Sequence, residues 1–275
     1  MTAPGWEGGS LPPLGRLGPV QWARVIWRGV RLGGVVYLGL LVHLSLRLIE
    51  RPLYGAARPW TQRLTRMVCR RALAILRIRL DVQGQPMPHK GAVVANHASW
   101  LDIFALNACQ EIYFVSKAEV AAWPGIGWLA RATGTVFIRR DRREAQAQAK
   151  LFEQRIGLGH HLLFFPEGTS TDSLRVLPFK PTLFQAFFAP QLQPRMWVQP
   201  VSVAYRAPVG QDPRFYGWWG DMGFGPHLLR VLAQRCQGHI AITFHAPLKV
   251  AHFADRKALA RAAQAAVSGG LQLPD

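Results

Sequence analysis

The chain has 275 residues, 49% of them hydrophobic and only 17% charged, and a formal net charge of +18. That length suits one sizeable core with a smaller appended element, and so few charges are unusual for a freely soluble domain but not for a membrane-attached one. Three isolated cysteines, Cys69, Cys109 and Cys236, give no C-x-x-C pair, suggest no disulfide framework or zinc site, and point to a reducing compartment.

The charge is uneven. Residues 1–80 hold thirteen arginines and two glutamates, so +11, and the other 195 residues carry +7. An anionic partner for the N-terminal part follows. Nucleic acid and anionic lipid both fit the charge. Interleaved Trp and Leu favour lipid, and no RRM, zinc-finger or helix-turn-helix pattern is present.

Residues 1–20 are rich in Gly and Pro and read as poorly ordered. Residues 32–46 then run without formal charge between Arg31 and Arg47. Extended to 30–49, with the arginines snorkelling, the stretch reaches roughly the 20 residues that cross a bilayer. It begins late and no A-x-A site follows, so it reads as a retained anchor, spanning once or dipping into one leaflet, rather than a cleaved signal. A buried core helix is the alternative. After Pro52 and Pro59, residues 60–79 place Trp60, Leu64, Met67, Val68, Ile75 and Leu76 near helical spacing, with Arg63, Arg66, Arg70 and Arg77 on another face. This predicts a basic amphipathic helix with a lipid-facing side.

From Ile78 strands and helices alternate. Strands are expected at 78–82, 92–95, 112–115, 135–138, 161–165, 198–204 (broken by Pro200) and 240–245. Helices are expected at 99–109, 127–132, 144–156, 180–188 and 228–235, with a last alanine-rich helix capped by Asp255. Residues 208–227 read as a Pro-, Gly- and Trp-rich loop. The alternation indicates an α/β fold.

One turn carries chemistry. Asn96-His97-Ala98-Ser99-Trp100-Leu101-Asp102 joins the strand at 92–95 to the helix after it. Five positions on one ideal helix are about 500° of rotation, so His97 and Asp102 share no helix face. They meet only with His97 in the turn and Asp102 in the first turn, with Ser99 as N-cap and Asp102 at N3. Two readings stay open on spacing alone. Asp102 caps a helix and His97 is incidental, or Asp102 accepts the ring N–H of His97 and the other nitrogen takes a proton from a substrate hydroxyl. No G-x-S-x-G elbow supplies an enzyme nucleophile. Two further clusters sit at strand ends. Arg139, Arg140, Arg142 and Arg143 suit a phosphate clamp or a solvated surface. Phe165-Pro166-Glu167-Gly168-Thr169 sets a carboxylate beside a glycine that permits close ligand approach, or makes a plain turn.

Taken together these stretches resemble the glycerolipid acyltransferase family, the 1-acylglycerol-3-phosphate acyltransferases and their relatives. Four family blocks occur in order over roughly 80–205: N-H-x-x-x-x-D at 96–102, G-x-I-F-I-D-R at 134–140 (here Gly-Thr-Val-Phe-Ile-Arg-Arg), F-P-E-G-T-R at 165–170 (ending in Ser170), and a Val-x-Pro-Val strand at 198–201. The resemblance implies a mixed central sheet flanked by helices over 81–275, preceded by membrane-associating helices over 1–80. It implies His97 as general base and Asp102 as its orienting partner. Arg140 would bind the acceptor's anionic head, with Glu167, Gly168 and Thr169 positioning it. Pro200 would shape the acyl-donor side, Lys117 lies where relatives often carry a basic residue near the site, and Arg139, beside Arg140, joins the substrate-binding set. No metal or cofactor is implied, only acyl-CoA or acyl-carrier protein as co-substrate.

The implied reaction moves a fatty acyl group to the free hydroxyl of a membrane lysolipid, foremost 1-acyl-sn-glycerol-3-phosphate, at the cytoplasmic side of a bacterial inner membrane. Arg139 in place of aspartate, and Ser170 in place of arginine, exchange an acid and a base in the local pattern. The stretch Phe215-Tyr216-Gly217-Trp218-Trp219-Gly220-Asp221-Met222 is similar to bacterial members that acylate lyso-ornithine lipid, the rival acceptor. A non-catalytic anionic-lipid-binding protein is the alternative of another class, and a lipid hydrolase that activates water through His97 is a third.

Overall fold

A computed structural model describes residues 8–9, 11–123, 125–138 and 145–271. Its helices are α1 (Pro19–Tyr54), α2 (Pro59–Leu76), α3 (Leu101–Cys109), α4 (Ile126–Ala132), α5 (Ala145–Gly157), α6 (Phe224–Ala233) and α7 (Arg256–Gly269). The strands are β1 (Arg79–Gln83), β2 (Gly91–Ala95), β3 (Ile112–Lys117), β4 (Val136–Ile138), β5 (His161–Phe164), β6 (Trp197–Arg206), β7 (His239–Phe244) and β8 (Leu248–Lys249). They form one sheet in the order β1-β7-β6-β2-β5-β3-β4, with β8 also on β6. Pairing is parallel except for β6 with β7 and β8. This is the expected mixed sheet flanked by helices.

Both faces of the sheet are covered at its centre, which is why the central strand β2 reads as a continuous apolar run. Side chains alternate along each strand. Val93, Ala95, Leu163, Val201, Val203 and Ile242 join a core with Leu73 and Leu76 of α2, Leu101 and Ala105 of α3, and Val25 and Leu32 of α1. Ala92, Val94, Leu162, Phe164 and Val198 join the opposite core with Phe184 and Phe187 of a 3-10 helix and Leu259, Ala263 and Val267 of α7. Asp255 caps α7 as expected, its side chain accepting from the Ala258 N–H.

Helix α1 is one continuous rod of 36 residues that extends beyond the expected anchor at both ends. Its inner face packs on α2, where Gly39 lets the backbones approach; a Cβ there would lie 2.7 Å from Val68 Cγ2. Its outer face leaves Ile26, Trp27, Val30, Leu38, Leu41, Leu48 and Leu53 each at least 60% exposed. This is no buried core helix, and α1 is long and apolar enough to cross a membrane.

Several N-terminal arginines turn inward, which corrects the view of them as a lipid-facing set. Arg28 is 4% exposed and donates to the carbonyls of Leu232 (3.1 Å) and Gln234 (2.6 Å), with Arg24 on Ala233. Arg70 Nε donates to Ala108 O (2.8 Å) and Arg58 to Ala132 O (2.7 Å). They thus cap the C-termini of α6, α3 and α4, where orphan carbonyls and the helix dipole favour cations.

Pro200 does not break its strand. Its carbonyl accepts from the His245 N–H (3.0 Å), so its ring nitrogen faces the β7/β8 side of β6. There the ladder changes from β8, which ends at Val198, to β7, which starts at Val201. The missing donor falls in the gap between the two ladders, so no hydrogen bond is lost.

Candidate active site

Strands β2, β5 and β3 run parallel and end at one edge of the sheet, the edge where open α/β sheets bind ligands. Their exits carry His97, Phe165 to Thr169, and Lys117.

His97 lies outside α3 and Asp102 in its first turn, the geometry the spacing demands. The N-cap is Trp100, one residue later than the expected Ser99. Ser99 accepts weakly from the Leu101 N–H (3.3 Å), while the carboxylate of Asp102 reaches back to the N–H groups of Ala98 (2.8 Å) and Ser99 (3.0 Å). The same Oδ2 accepts from His97 Nδ1 at 2.7 Å. The capping and pairing readings therefore hold together: the bonds that anchor the turn also aim the carboxylate at the imidazole.

Asp102 is fully buried and the His97 side chain is 22% exposed. An ionised carboxylate only accepts, so Nδ1 carries the proton and Nε2 keeps its lone pair. The ring stacks on Phe165, with centroids 4.1 Å apart and planes 12° apart. The backbone is held as firmly: the Thr171 N–H donates to the His97 carbonyl (2.9 Å), and the Trp218 N–H to that of Ala98 (2.8 Å). Asn96 locks the strand exit, its amide donating to Val203 O (2.9 Å) and accepting from Val203 N (2.8 Å).

Tyr205 on β6 is the member that sequence reasoning missed. Its hydroxyl donates to Asp102 Oδ1, the oxygen that His97 does not use. Burial, reinforced by the neighbouring Asp102 charge, pushes the phenol well above its usual range, so it stays a donor. The available signal was a tyrosine near the end of a buried strand, because a buried phenol needs a partner.

Two of the expected site residues are buried within the fold. Glu167 is 1% exposed and its oxygens accept from the backbone N–H groups of His97 and Leu177, each at 2.6 Å. It braces the histidine turn against the 177 loop. Burial, with the Asp102 charge adding to it, pushes its carboxyl up to about 8 against the pull of those two N–H donors. Pro200 is buried on the face covered by α7 and offers no surface to a ligand.

Gly168 has φ +74°, a left-handed turn that glycine adopts without strain, and Thr169 is half-buried beside it. Lys117 ends β3, exposed, in register with Ile138. Arg139 and Arg140 lie outside the described residues.

A buried carboxylate, an oriented imidazole and an open Nε2 suit removal of a proton from a bound hydroxyl. The only serine in the histidine turn, Ser99, is fully buried and accepts from Leu101, so it is no nucleophile.

The acyltransferase family model matches residues 79–204. The chain is 59% identical over 271 residues, 98% of each chain, to a lyso-ornithine lipid O-acyltransferase of Rhodobacter capsulatus. It is 42% identical over 119 residues, 42% of this chain and 46% of the other, to a 1-acyl-sn-glycerol-3-phosphate acyltransferase of Neisseria gonorrhoeae. The crystal structure of the 1-acyl-sn-glycerophosphate acyltransferase PlsC from Thermotoga maritima shares the fold, with a TM-score of 0.65 and 22% identity, covering 92% of this chain and 95% of that one.

Proposed function

Because this chain belongs to the acyltransferase family that works on lipid hydroxyls, we propose that it is the O-acyltransferase of lyso-ornithine lipid, with His97 as the general base. The full-length relationship to an enzyme of that name carries the choice of acceptor; the likeness to the Neisseria lysophosphatidate enzyme spans less than half of either chain. An ornithine head bears a carboxylate and an ammonium, where lysophosphatidate bears a phosphate. Arg139 in place of the family aspartate and Ser170 in place of its arginine fit a change of head group.

In the proposed reaction Nε2 of His97 takes the proton of the acceptor hydroxyl as its oxygen attacks the thioester carbonyl of acyl-CoA or acyl-carrier protein. The C–O bond forms, the C–S bond breaks, and the imidazolium returns its proton to the departing thiolate. Asp102 stabilises the imidazolium between these steps. Positioning accounts for much of the rate, since the donor is already activated. Lys117, Arg139 and Arg140, with Gly168 and Thr169, are proposed to hold the acceptor head. No metal or cofactor enters the scheme.

The enzyme is membrane-associated. We place it at a bacterial inner membrane, with residues 1–80 providing the membrane-associating helices and the transferase domain of 81–275 facing the cytoplasm. There thioester donors are made and the free thiols of Cys69, Cys109 and Cys236 persist.

Mass spectrometry of lipids tests the proposal. Cells lacking the gene should accumulate lyso-ornithine lipid, and restoring the gene should convert it to the diacylated form. Accumulation of lysophosphatidate instead would transfer the assignment to that acceptor, and release of free fatty acid by the purified protein would indicate a hydrolase.

A further inference from the structure

A cavity of about 460 Å³ opens at the N-terminal ends of β3 and β5, the sheet edge opposite His97. Its walls include Arg58, Gln62, Arg66, Gln110, Tyr113 and His160. The transfer reaction has no use for any of them.

Both arginines have N–H groups to spare. Arg58 donates to Ala132 O (2.7 Å), but His43 Nε2 already lies 2.9 Å from that carbonyl. Among the described residues Arg66 makes only a long contact to Ala108 O (3.4 Å), which Arg70 holds at 2.8 Å. Each capped carbonyl thus keeps another partner without them. Neither guanidinium forms an ion pair among the described residues. Glu50, the acid near Arg58, is spent on Arg47, Trp60 and Thr61. Glu111 on the rim is exposed and pairs with neither.

The surroundings add positive charge. Arg155 lies over the Tyr113 ring at 4.4 Å, and burial, aided by Arg155, pushes the His160 imidazole down to about 4, so it is neutral at pH 7. Gln110 is 5% exposed, yet neither its amide nitrogen nor its oxygen has a partner among the described residues. Native proteins seldom leave such a group unpaired. Arg58 itself holds φ +55°, a left-handed conformation uncommon outside glycine. Gly134 makes room for its guanidinium, since a Cβ there would meet Nη1 at 2.7 Å.

Two guanidiniums without counter-ions beside an unspent amide form an anion site. The cavity lining begins at Ala57 and Arg58, just past the end of α1 in the chain, and on that last part of α1 Ile49, Leu53 and Tyr54 are 56%, 63% and 46% exposed. We propose that this cavity binds a phosphate group through Arg58, Arg66 and Gln110, carried by an anionic phospholipid whose chains lie along the exposed end of α1, or taken up as free phosphate.

The test uses the full chain in neutral detergent, titrated with inorganic phosphate, and its flotation with phosphatidylcholine vesicles with and without phosphatidylglycerol. The cavity variant is Arg58→Gln with Arg66→Gln. The charge-matched control is Arg51→Gln with Arg63→Gln, both exposed positions. Should the cavity pair unfold, Arg66→Gln alone serves, since Arg70 stays on Ala108. Binding about tenfold weaker in the cavity variant than in the control is expected, the scale of losing a charge-assisted contact. If that loss appears with phosphatidylglycerol vesicles only, the ligand is the lipid head group; if it appears with inorganic phosphate, the ligand is free phosphate. Equal behaviour of the cavity and control variants toward both probes overturns the proposal.

Discussion

Replacing Tyr205 by Phe removes one oxygen and leaves the ring in place, so no cavity opens. What it takes is the hydroxyl donor to Asp102 Oδ1, in a carboxylate with no exposed surface. Oδ2 already accepts from His97, Ala98 and Ser99 and has no donor to lend. A buried charged acceptor left without a partner costs about 1.5–3 kcal/mol, so Tyr205→Phe should lower stability by roughly that amount. The carboxylate is also freed to rotate away from Nδ1, and kcat should fall about tenfold or more while KM changes little, because the phenol touches no substrate. Thermal unfolding in detergent gives the first quantity and steady-state acyl transfer the second. A variant as stable as the parent to within about 0.5 kcal/mol, with unchanged kcat, would refute the claim that Tyr205 holds the dyad.

Glu167 gives a prediction in pH. Its carboxyl is pushed up to about 8 in the fold, chiefly by burial, from an ordinary 4.5. The folded state therefore favours the protonated form, and this group's contribution to stability is full below about 4.5 and is lost as pH rises through about 8. Glu167→Gln should flatten the fall of the unfolding midpoint between those values; parallel curves for parent and variant would contradict the assignment. The outer face of α1 gives another prediction. Ile26→Glu with Leu38→Glu and Leu41→Glu touches only exposed positions, and each charge placed there removes about 1.5–3 kcal/mol of apolar insertion. The triple variant should leave the membrane fraction yet keep its activity on micellar acceptor. Unchanged sedimentation with membranes would exclude this face as the one that meets lipid.

Order and type of the main elements were legible because period-2 and period-3.6 patterns are local. The five-residue spacing of His97 and Asp102 fixed which side of the helix start each must occupy, and they sit there. Other features depend on partners distant in sequence. Ser99 lost the N-cap because Asp102 claimed the preceding N–H groups. Pro200 looked like a break because nothing nearby showed the ladder passing from β8 to β7 beside it. The two-residue β8 had no pattern to find. Helix α6 begins at Phe224, earlier than the expected 228, because Pro226 in a first turn lacks only an N–H that the helix would leave unpaired. The arginines at 24, 28, 58 and 70 misled for the same reason: net charge shows no difference between facing a lipid and capping a helix more than 30 residues away. Glu167 stood in a motif tied to acceptor binding, and only the fold turned its oxygens toward His97 and Leu177.

In the proposed reaction Nε2 of His97 accepts the proton of the attacking hydroxyl. Acyl transfer by purified His97→Ala, with its unfolding midpoint measured alongside, tests it most directly. A fall of about 10²–10⁴ in kcat with the fold intact is expected. A folded His97→Ala protein that transfers acyl groups at near the parent rate would contradict it.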